Sequence, residues 1–144
     1  MAQPEVAAYT KPRPNIDEDI APFWDGLREH RFLLYRCGRC GAWYWPAAYC
    51  HNHPGAPFQE DMEWTEASGR GTVFTFSVHH WAFDPAFKAD LPYVYALIEL
   101  DEGPMFGTNI TGCRPDEVRI GMPVRIVFED HPEEGFTLPK ARPA

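Results

Sequence analysis

The sequence lacks any run of eighteen or more apolar residues, so it offers no helix that could cross a membrane. Its opening residues, 1–14, also lack the basic start and apolar centre that are typical of a secretory signal peptide. We therefore expect a cytoplasmic protein that does not insert into a membrane.

Basic residues are scarce. There are 13 lysines and arginines against 21 aspartates and glutamates, which gives a net charge of -8. Because proteins bind the nucleic-acid backbone mainly through Lys and Arg, this balance argues against a nucleic-acid partner. A small anionic ligand such as a coenzyme needs only a local basic patch, so the charge does not exclude one.

Recognisable catalytic motifs are also missing. Gly69-Arg70-Gly71 is too short for a phosphate-binding loop and precedes a predicted strand. His79 follows a strong strand pattern, but no nucleophile or carboxylate spacing accompanies it. The lone Cys113 fits a small buried apolar residue better than a nucleophile. The sequence therefore predicts no catalytic residue.

The abundant turn-forming residues point to short elements. Fifteen prolines and eleven glycines are spread along the chain, and a helical pattern is confined to a segment starting near Ala21. In the stretch 72–79, Phe74, Phe76 and Val78 alternate with polar residues, which predicts a strand with these three on one face. The sequence therefore predicts a mainly β fold class, with an N-terminal helix, a zinc ribbon at the cysteine cluster between Cys37 and Cys50, and then an OB-type barrel.

This pattern divides the chain into four predicted parts. They are a flexible arm (1–14), a helix plus zinc ribbon (15–66), an OB-fold barrel (67–138) and a free tail (139–144).

Three of the four cysteines cluster between positions 37 and 50. Cys37 and Cys40 are separated by two residues, and Cys50 and His53 repeat that spacing. Four such side chains can surround one Zn²⁺ as a closed, structural site. His51 is an alternative fourth ligand, and a degenerate knuckle without metal, packed by Trp43-Tyr44-Trp45, is the competing interpretation.

The connection from Trp81 to Phe87 is rich in aromatic residues. If it is exposed, it predicts a protein-binding surface, because aromatic side chains are enriched at interface cores. If it is buried, it closes the barrel. We favour the partner-binding interpretation.

Taken together, these motifs resemble the OB-fold proteins with an N-terminal zinc ribbon known as the domain of unknown function 35 family. The similarity extends from about Ile16 to Phe128. Its motifs, in chain order, are Phe23-Trp24 with Leu27, Arg36-Cys37-x2-Cys40-Gly41, Ser68-Gly69-Arg70-Gly71-Thr72-Val73, Pro92-Tyr93, Glu99-Leu100-Asp101-Glu102-Gly103 and Ile120-Gly121-Met122-Pro123-Val124.

The resemblance implies a non-catalytic subunit that supports a thiolase-fold enzyme acting on acyl-CoA. That enzyme would be a thiolase, or an aldolase of the lipid-transfer-protein type, in steroid side-chain or aromatic-succinate degradation. A heterotetramer with the thiolase-fold subunit and an acyl-CoA ligand shared with it are further expectations. The alternative is a nucleic-acid-binding zinc-ribbon OB protein, which the acidic charge disfavours.

The fourth metal ligand departs from the family pattern. The second knuckle of the family usually carries Cys-x2-Cys, whereas this chain has His53 in the last position. Because Zn²⁺ accepts imidazole nitrogen as readily as thiolate sulfur, we expect the site to be retained.

Overall fold

A computed structural model describes residues 8–46, 49–53 and 60–144. The first seven residues of the predicted arm lie outside this range. Among the described residues, no helix is both long and apolar enough to cross a membrane.

The fold combines a small three-stranded sheet with a five-stranded closed barrel, which confirms the predicted fold class. The small sheet has the strand order β2-β1-β3, and the barrel has the order β4-β5-β6-β8-β7. The elements are α1 (Ala21–Arg28), β1 (Leu33–Cys37), β2 (Trp43–Tyr44), β3 (Met62–Glu66), β4 (Arg70–His79), β5 (Tyr93–Leu100), β6 (Met105–Ile110), β7 (Pro123–His131) and β8 (Phe136–Pro143), with 3-10 turns at Pro85–Asp90 and Pro115–Glu117.

Helix α1 begins at Ala21, as the sequence predicts. Pro22 lies in its first turn, where a missing backbone N–H costs nothing. One face buries Phe23 and Leu27, which are 2% and 0% exposed. Two residues beyond the helix, His30 adopts a positive φ of 58° and stacks on Phe128 of β7, with ring centroids 4.9 Å apart. This stacking holds the C-terminal end of the helix against the barrel.

Strand β4 contains a β-bulge that the alternation of its sequence does not reveal. Val73 pairs with Ile98 and Thr75 pairs with Leu97, so Phe74 is an extra residue in the ladder. Its side chain is 52% exposed, whereas Val73 is buried. The prediction that Phe74 shares a face with Phe76 and Val78 is therefore wrong.

The prediction of a free tail over residues 139–144 is also wrong. Strand β8 runs to Pro143 and pairs with β7 as far as Val124↔Pro143. Toward β6 it pairs only at Ile110↔Ala141. Prolines are tolerated where one edge of a strand forms few ladder hydrogen bonds, so Pro139 and Pro143 do not end this strand.

The arm lies on the chain's own barrel throughout its described part, residues 8–14. Tyr9 packs edge-on against His131 and Phe136, with ring centroids 4.9 and 5.2 Å away. Lys11 pairs with Asp90, and Arg13 pairs with Glu134. Tyr9 and Arg13 thus lie against the β7–β8 hairpin, while Lys11 between them reaches the 3-10 turn that precedes β5.

One hydrophobic core serves both the ribbon and the barrel. The ring of Phe23 lies 4.4 Å from that of Trp45, and Trp45 lies 5.3 Å from Phe106 of β6. Phe32 completes the cluster, with its ring 5.1 Å from that of Phe106. The helix, the ribbon and the barrel are therefore parts of one packed unit.

We expect Phe23→Ala to lower the free energy of unfolding by about 3–5 kcal/mol, because it removes a buried aromatic ring from the middle of this core. Phe83→Ala is the matched control, because Phe83 is 98% exposed and should change stability by less than about 0.5 kcal/mol. Urea unfolding followed by circular dichroism measures both. Similar midpoints for the two variants would contradict the shared core.

Candidate metal centre

The first pair of ligands lies in a tight turn at the end of β1. Cys37 is the last residue of that strand, and its backbone N–H donates to the carbonyl of Ala42 at 2.8 Å. Gly41 donates to the carbonyl of Cys37 at 2.8 Å with a φ of 78°, a conformation that glycine adopts without strain. The turn brings the side chains of Cys37 and Cys40 to the same end of the sheet.

The second pair is positioned by strand β2. The hydroxyl of Tyr44 accepts a hydrogen bond from the backbone N–H of His51 at 3.1 Å. The same oxygen lies 3.3 Å from the sulfur of Cys50. Tyr44 thereby fixes the turn that carries Cys50 and His53 beside the first knuckle.

The four predicted ligands meet in space. One ligand atom from each of Cys37, Cys40, Cys50 and His53 lies within 4.8 Å of the others. The sulfurs of Cys40 and Cys50 are 3.5 Å apart. Thiolates bound to one tetrahedral Zn²⁺ at about 2.3 Å stand roughly 3.8 Å apart, so the separation fits a metal of this size.

The histidine that joins the sulfurs is His53. Its Nε2 is buried and has no hydrogen-bond partner within the described part of the chain. A buried imidazole nitrogen without a partner is costly, and a metal bond would satisfy it. His51 instead packs its ring against Tyr44 and Tyr49, with centroids 5.0 and 5.3 Å away.

The surroundings of Cys40 favour the thiolate form that binds metal. The side-chain amide of Asn52 donates to its sulfur at 3.5 Å and, with the Ala42 backbone, lowers the pKa of this thiol to about 6. Cys37 is buried while Cys40 is exposed, so the cluster lies at the margin of the fold. With all four positions taken by protein atoms, the arrangement suits a structural role and leaves no place for substrate.

Two other residues considered from the sequence lie elsewhere. His79 places its Nε2 3.0 Å from the hydroxyl of Ser77, and its ring stacks on Tyr93 at 4.8 Å. No carboxylate of the described residues bonds to this imidazole, so nothing orients it as a catalytic base. Burial and the nearby acids Glu117 and Asp116 raise the pKa of Cys113, which disfavours a nucleophilic thiolate.

Both halves of the chain match domains of a known protein family. The ChsH2 rubredoxin-like zinc ribbon domain matches residues 24–53, and the ChsH2 C-terminal OB-fold domain matches residues 64–129. A DUF35 domain-containing scaffold protein of Methanocaldococcus jannaschii is 36% identical over 121 residues, covering 83% of each chain. The chain belongs to the DUF35 family.

Two further relatives are longer proteins. The probable enoyl-CoA hydratase alpha subunit of Thermomonospora curvata is 39% identical over 93% of this chain. The 3-oxo-4,17-pregnadiene-20-carboxyl-CoA hydratase alpha subunit of Mycobacterium tuberculosis is 36% identical over 84% of it. The present DUF35 chain spans only 40% and 37% of their respective lengths.

Solved structures share the same architecture. A chain of the Ltp2-ChsH2(DUF35) aldolase superposes with a TM-score of 0.77 at 38% identity, covering 91% of this chain and 98% of that one. A DUF35 protein of unknown function from Sulfolobus solfataricus superposes with a TM-score of 0.57 at 18% identity, which shows the common fold.

We expect the purified protein to contain about one zinc per chain, because its ligands form one tetrahedral set. Cys40→Ala and His53→Ala should lose the metal and destabilise the ribbon, since binding of a structural metal contributes directly to folding. His51→Ala and Cys113→Ala are matched controls that should keep it. Elemental analysis with thermal unfolding measures both effects. A fully folded protein without metal would contradict the site.

Proposed function

We propose that the chain is a non-catalytic subunit that assembles with a thiolase-fold enzyme, a thiolase or an aldolase of the lipid-transfer-protein type, acting on acyl-CoA. The observation that carries this proposal is the similarity to a chain of the Ltp2-ChsH2(DUF35) aldolase over almost the whole length of both chains. Steroid side-chain degradation is the setting that the name of the mycobacterial relative favours, and aromatic-succinate degradation is the alternative setting.

Within this assembly the metal would have a structural role. We propose that Cys37, Cys40, Cys50 and His53 bind Zn²⁺ and fix the ribbon beside α1. The ribbon in turn supports the barrel through the shared aromatic core. We place the protein in the cytoplasm, where thiols stay reduced and available as metal ligands.

The loop from Trp81 to Phe87 supplies a surface for the partner. Trp81 is 70% exposed and Phe83 is 98% exposed, whereas Ala82 between them is buried. The carboxylate of Asp84 accepts a hydrogen bond from the backbone N–H of Ala86 at 2.9 Å, which caps the following 3-10 turn. A capped loop that presents two large aromatic side chains to solvent is suited to bind another protein with little loss of conformational entropy.

The catalytic groups would come from the partner. We propose that this chain shapes the acyl-CoA site of the complex and shares that ligand with the thiolase-fold subunit. Thiolase-fold enzymes that form twofold dimers offer two equivalent docking positions, so a heterotetramer is the expected assembly.

The chain alone should show no thiolase, aldolase or hydrolase turnover with acyl-CoA substrates. The reason is that its metal site is closed and that no carboxylate of the described residues orients His79, which contacts Ser77. The measurement is release of free CoA or of the cleaved ketone from the purified chain, with the reconstituted complex as the positive control. Turnover by the isolated chain would overturn the proposed accessory role.

We expect Trp81→Ala combined with Phe83→Ala to abolish co-purification with the thiolase-fold subunit. Each large aromatic side chain at an interface centre typically contributes about 2 kcal/mol or more, which is roughly thirtyfold in Kd. Ile120→Ala is the matched control, because Ile120 is also 70% exposed but lies outside this loop.

Circular dichroism should show an unchanged fold for all three substitutions. If the double variant still assembles with the affinity of the original chain, the loop is not the docking site, and the surface of α1 around Trp24 becomes the next candidate.

A further inference from the structure

A cavity of about 550 Å³ lies between the arm segment 8–14 and the outer face of the barrel. Its walls are mainly apolar and include Phe87, Pro92, Tyr93 and Leu138. A volume of this size falls within the range of pockets that hold small organic molecules. The proposed interface loop contributes only its last residue, Phe87.

The arm closes one side of the cavity and is held there by two ion pairs. Lys11 pairs with Asp90 at 2.5 Å and lies over the ring of Phe87, 5.7 Å from its centroid. Arg13, which also lines the cavity, pairs with Glu134 of the β7–β8 turn. Because each of these two cations already has an acidic partner, neither is free to attract a ligand without breaking an ion pair.

Lys140 of β8 also lines the cavity, and its ammonium group has no acidic partner among the described residues. Its Nζ donates to the side-chain oxygen of Asn109 at 2.7 Å and makes no ion pair within residues 8–46, 49–53 and 60–144. Asn109 is itself fixed, since its amide donates to the carbonyl of Val94 at 3.1 Å. The amide therefore holds the ammonium group in a defined position and leaves its other two N–H donors available.

The environment of Lys140 makes an unpaired charge unfavourable. Burial lowers the pKa of its ammonium group, while the charge of Glu129 acts in the opposite direction. No ion pair joins Glu129 to Lys140 among the described residues, and one carboxylate oxygen of Glu129 lies 2.8 Å from the Nε2 of His131. A half-buried cation without an anionic partner would gain from a bound anion.

We propose that this cavity binds a small organic carboxylate, with the carboxylate at Lys140 and the apolar part of the molecule against Phe87, Tyr93 and Leu138. A single ammonium group beside an amide matches one carboxylate better than a phosphate, which usually binds to several donors. The site is separate from the zinc centre and does not depend on the proposed thiolase-fold partner.

The test uses the full chain with hexanoate as the probe and its neutral amide, hexanamide, as the matched ligand. We expect hexanoate to bind at least about tenfold more tightly in isothermal titration, because a hydrogen bond to a charged group in a shielded site is worth that factor. Inorganic phosphate, which lacks an apolar part, should bind no better than hexanamide. Equal binding of hexanoate and hexanamide would overturn the proposal without recourse to any variant.

The second part of the test compares variants in which a lysine is replaced. Lys140→Met should weaken hexanoate binding by about tenfold or more, because it removes the cation and keeps most of the side chain's length. Lys88→Met is the matched control, because Lys88 is exposed and does not line the cavity. If Lys140→Met does not fold, Lys140→Gln takes its place. Undiminished binding by the folded Lys140 variant would also overturn the proposal.

Cys113 offers an independent measurement of where the probe binds. This residue lines the cavity and belongs to no metal cluster found among the described residues. Bound hexanoate should slow its alkylation by iodoacetamide, as followed by mass spectrometry, and hexanamide at the same concentration should not. Hexanoate binding without protection of Cys113 would place the ligand elsewhere and contradict the proposed site.

Discussion

The contact between Phe23 and Trp45, and through Trp45 with Phe106, is the interaction on which the rest of the structure depends. A zinc ribbon has too few apolar residues to form a large core of its own, and a five-stranded barrel that pairs β6 with β8 at a single position is only narrowly closed. By packing α1 and the ribbon against Phe106, the chain forms one core in place of two marginal ones. The same hydrophobic core therefore holds both the ribbon, with its predicted metal ligands, and the barrel in place.

Much of this arrangement could be predicted because it depends on short-range patterns. The spacing of Cys37, Cys40, Cys50 and His53 is a local property, and the structure places these four side chains together. The start of α1 at Ala21 likewise follows from the position of Pro22 and from the helical spacing of the apolar residues after it. The choice between His51 and His53 could not be made from spacing alone, because it depends on how Tyr44 holds the second turn.

The features that the sequence did not reveal depend on contacts between distant segments. Nothing near Lys140 in the sequence indicates that Asn109 will hold its ammonium group, since the two residues meet only when β6 and β8 lie side by side. The arm carries no apolar periodicity, and its position follows from contacts of Tyr9 and Arg13 with the β7–β8 hairpin and of Lys11 with the 3-10 turn before β5. The path of β8 past Pro139 depends on which edge of the strand is paired, which only the assembled sheet determines.

The bulge in β4 has a consequence for how the length of this chain could vary. Val73 pairs with Ile98 and Thr75 with Leu97, so the ladder already passes from one pair to the next as if Phe74 were absent. Deletion of Phe74 would therefore preserve the register and facing of Thr75 and the residues after it, and would remove only the local bend and one exposed ring. Deletion of a ladder residue farther along the strand would instead turn over the residues between it and the bulge and expose their apolar side chains. A one-residue deletion is thus tolerable at the bulge of β4 and damaging away from it.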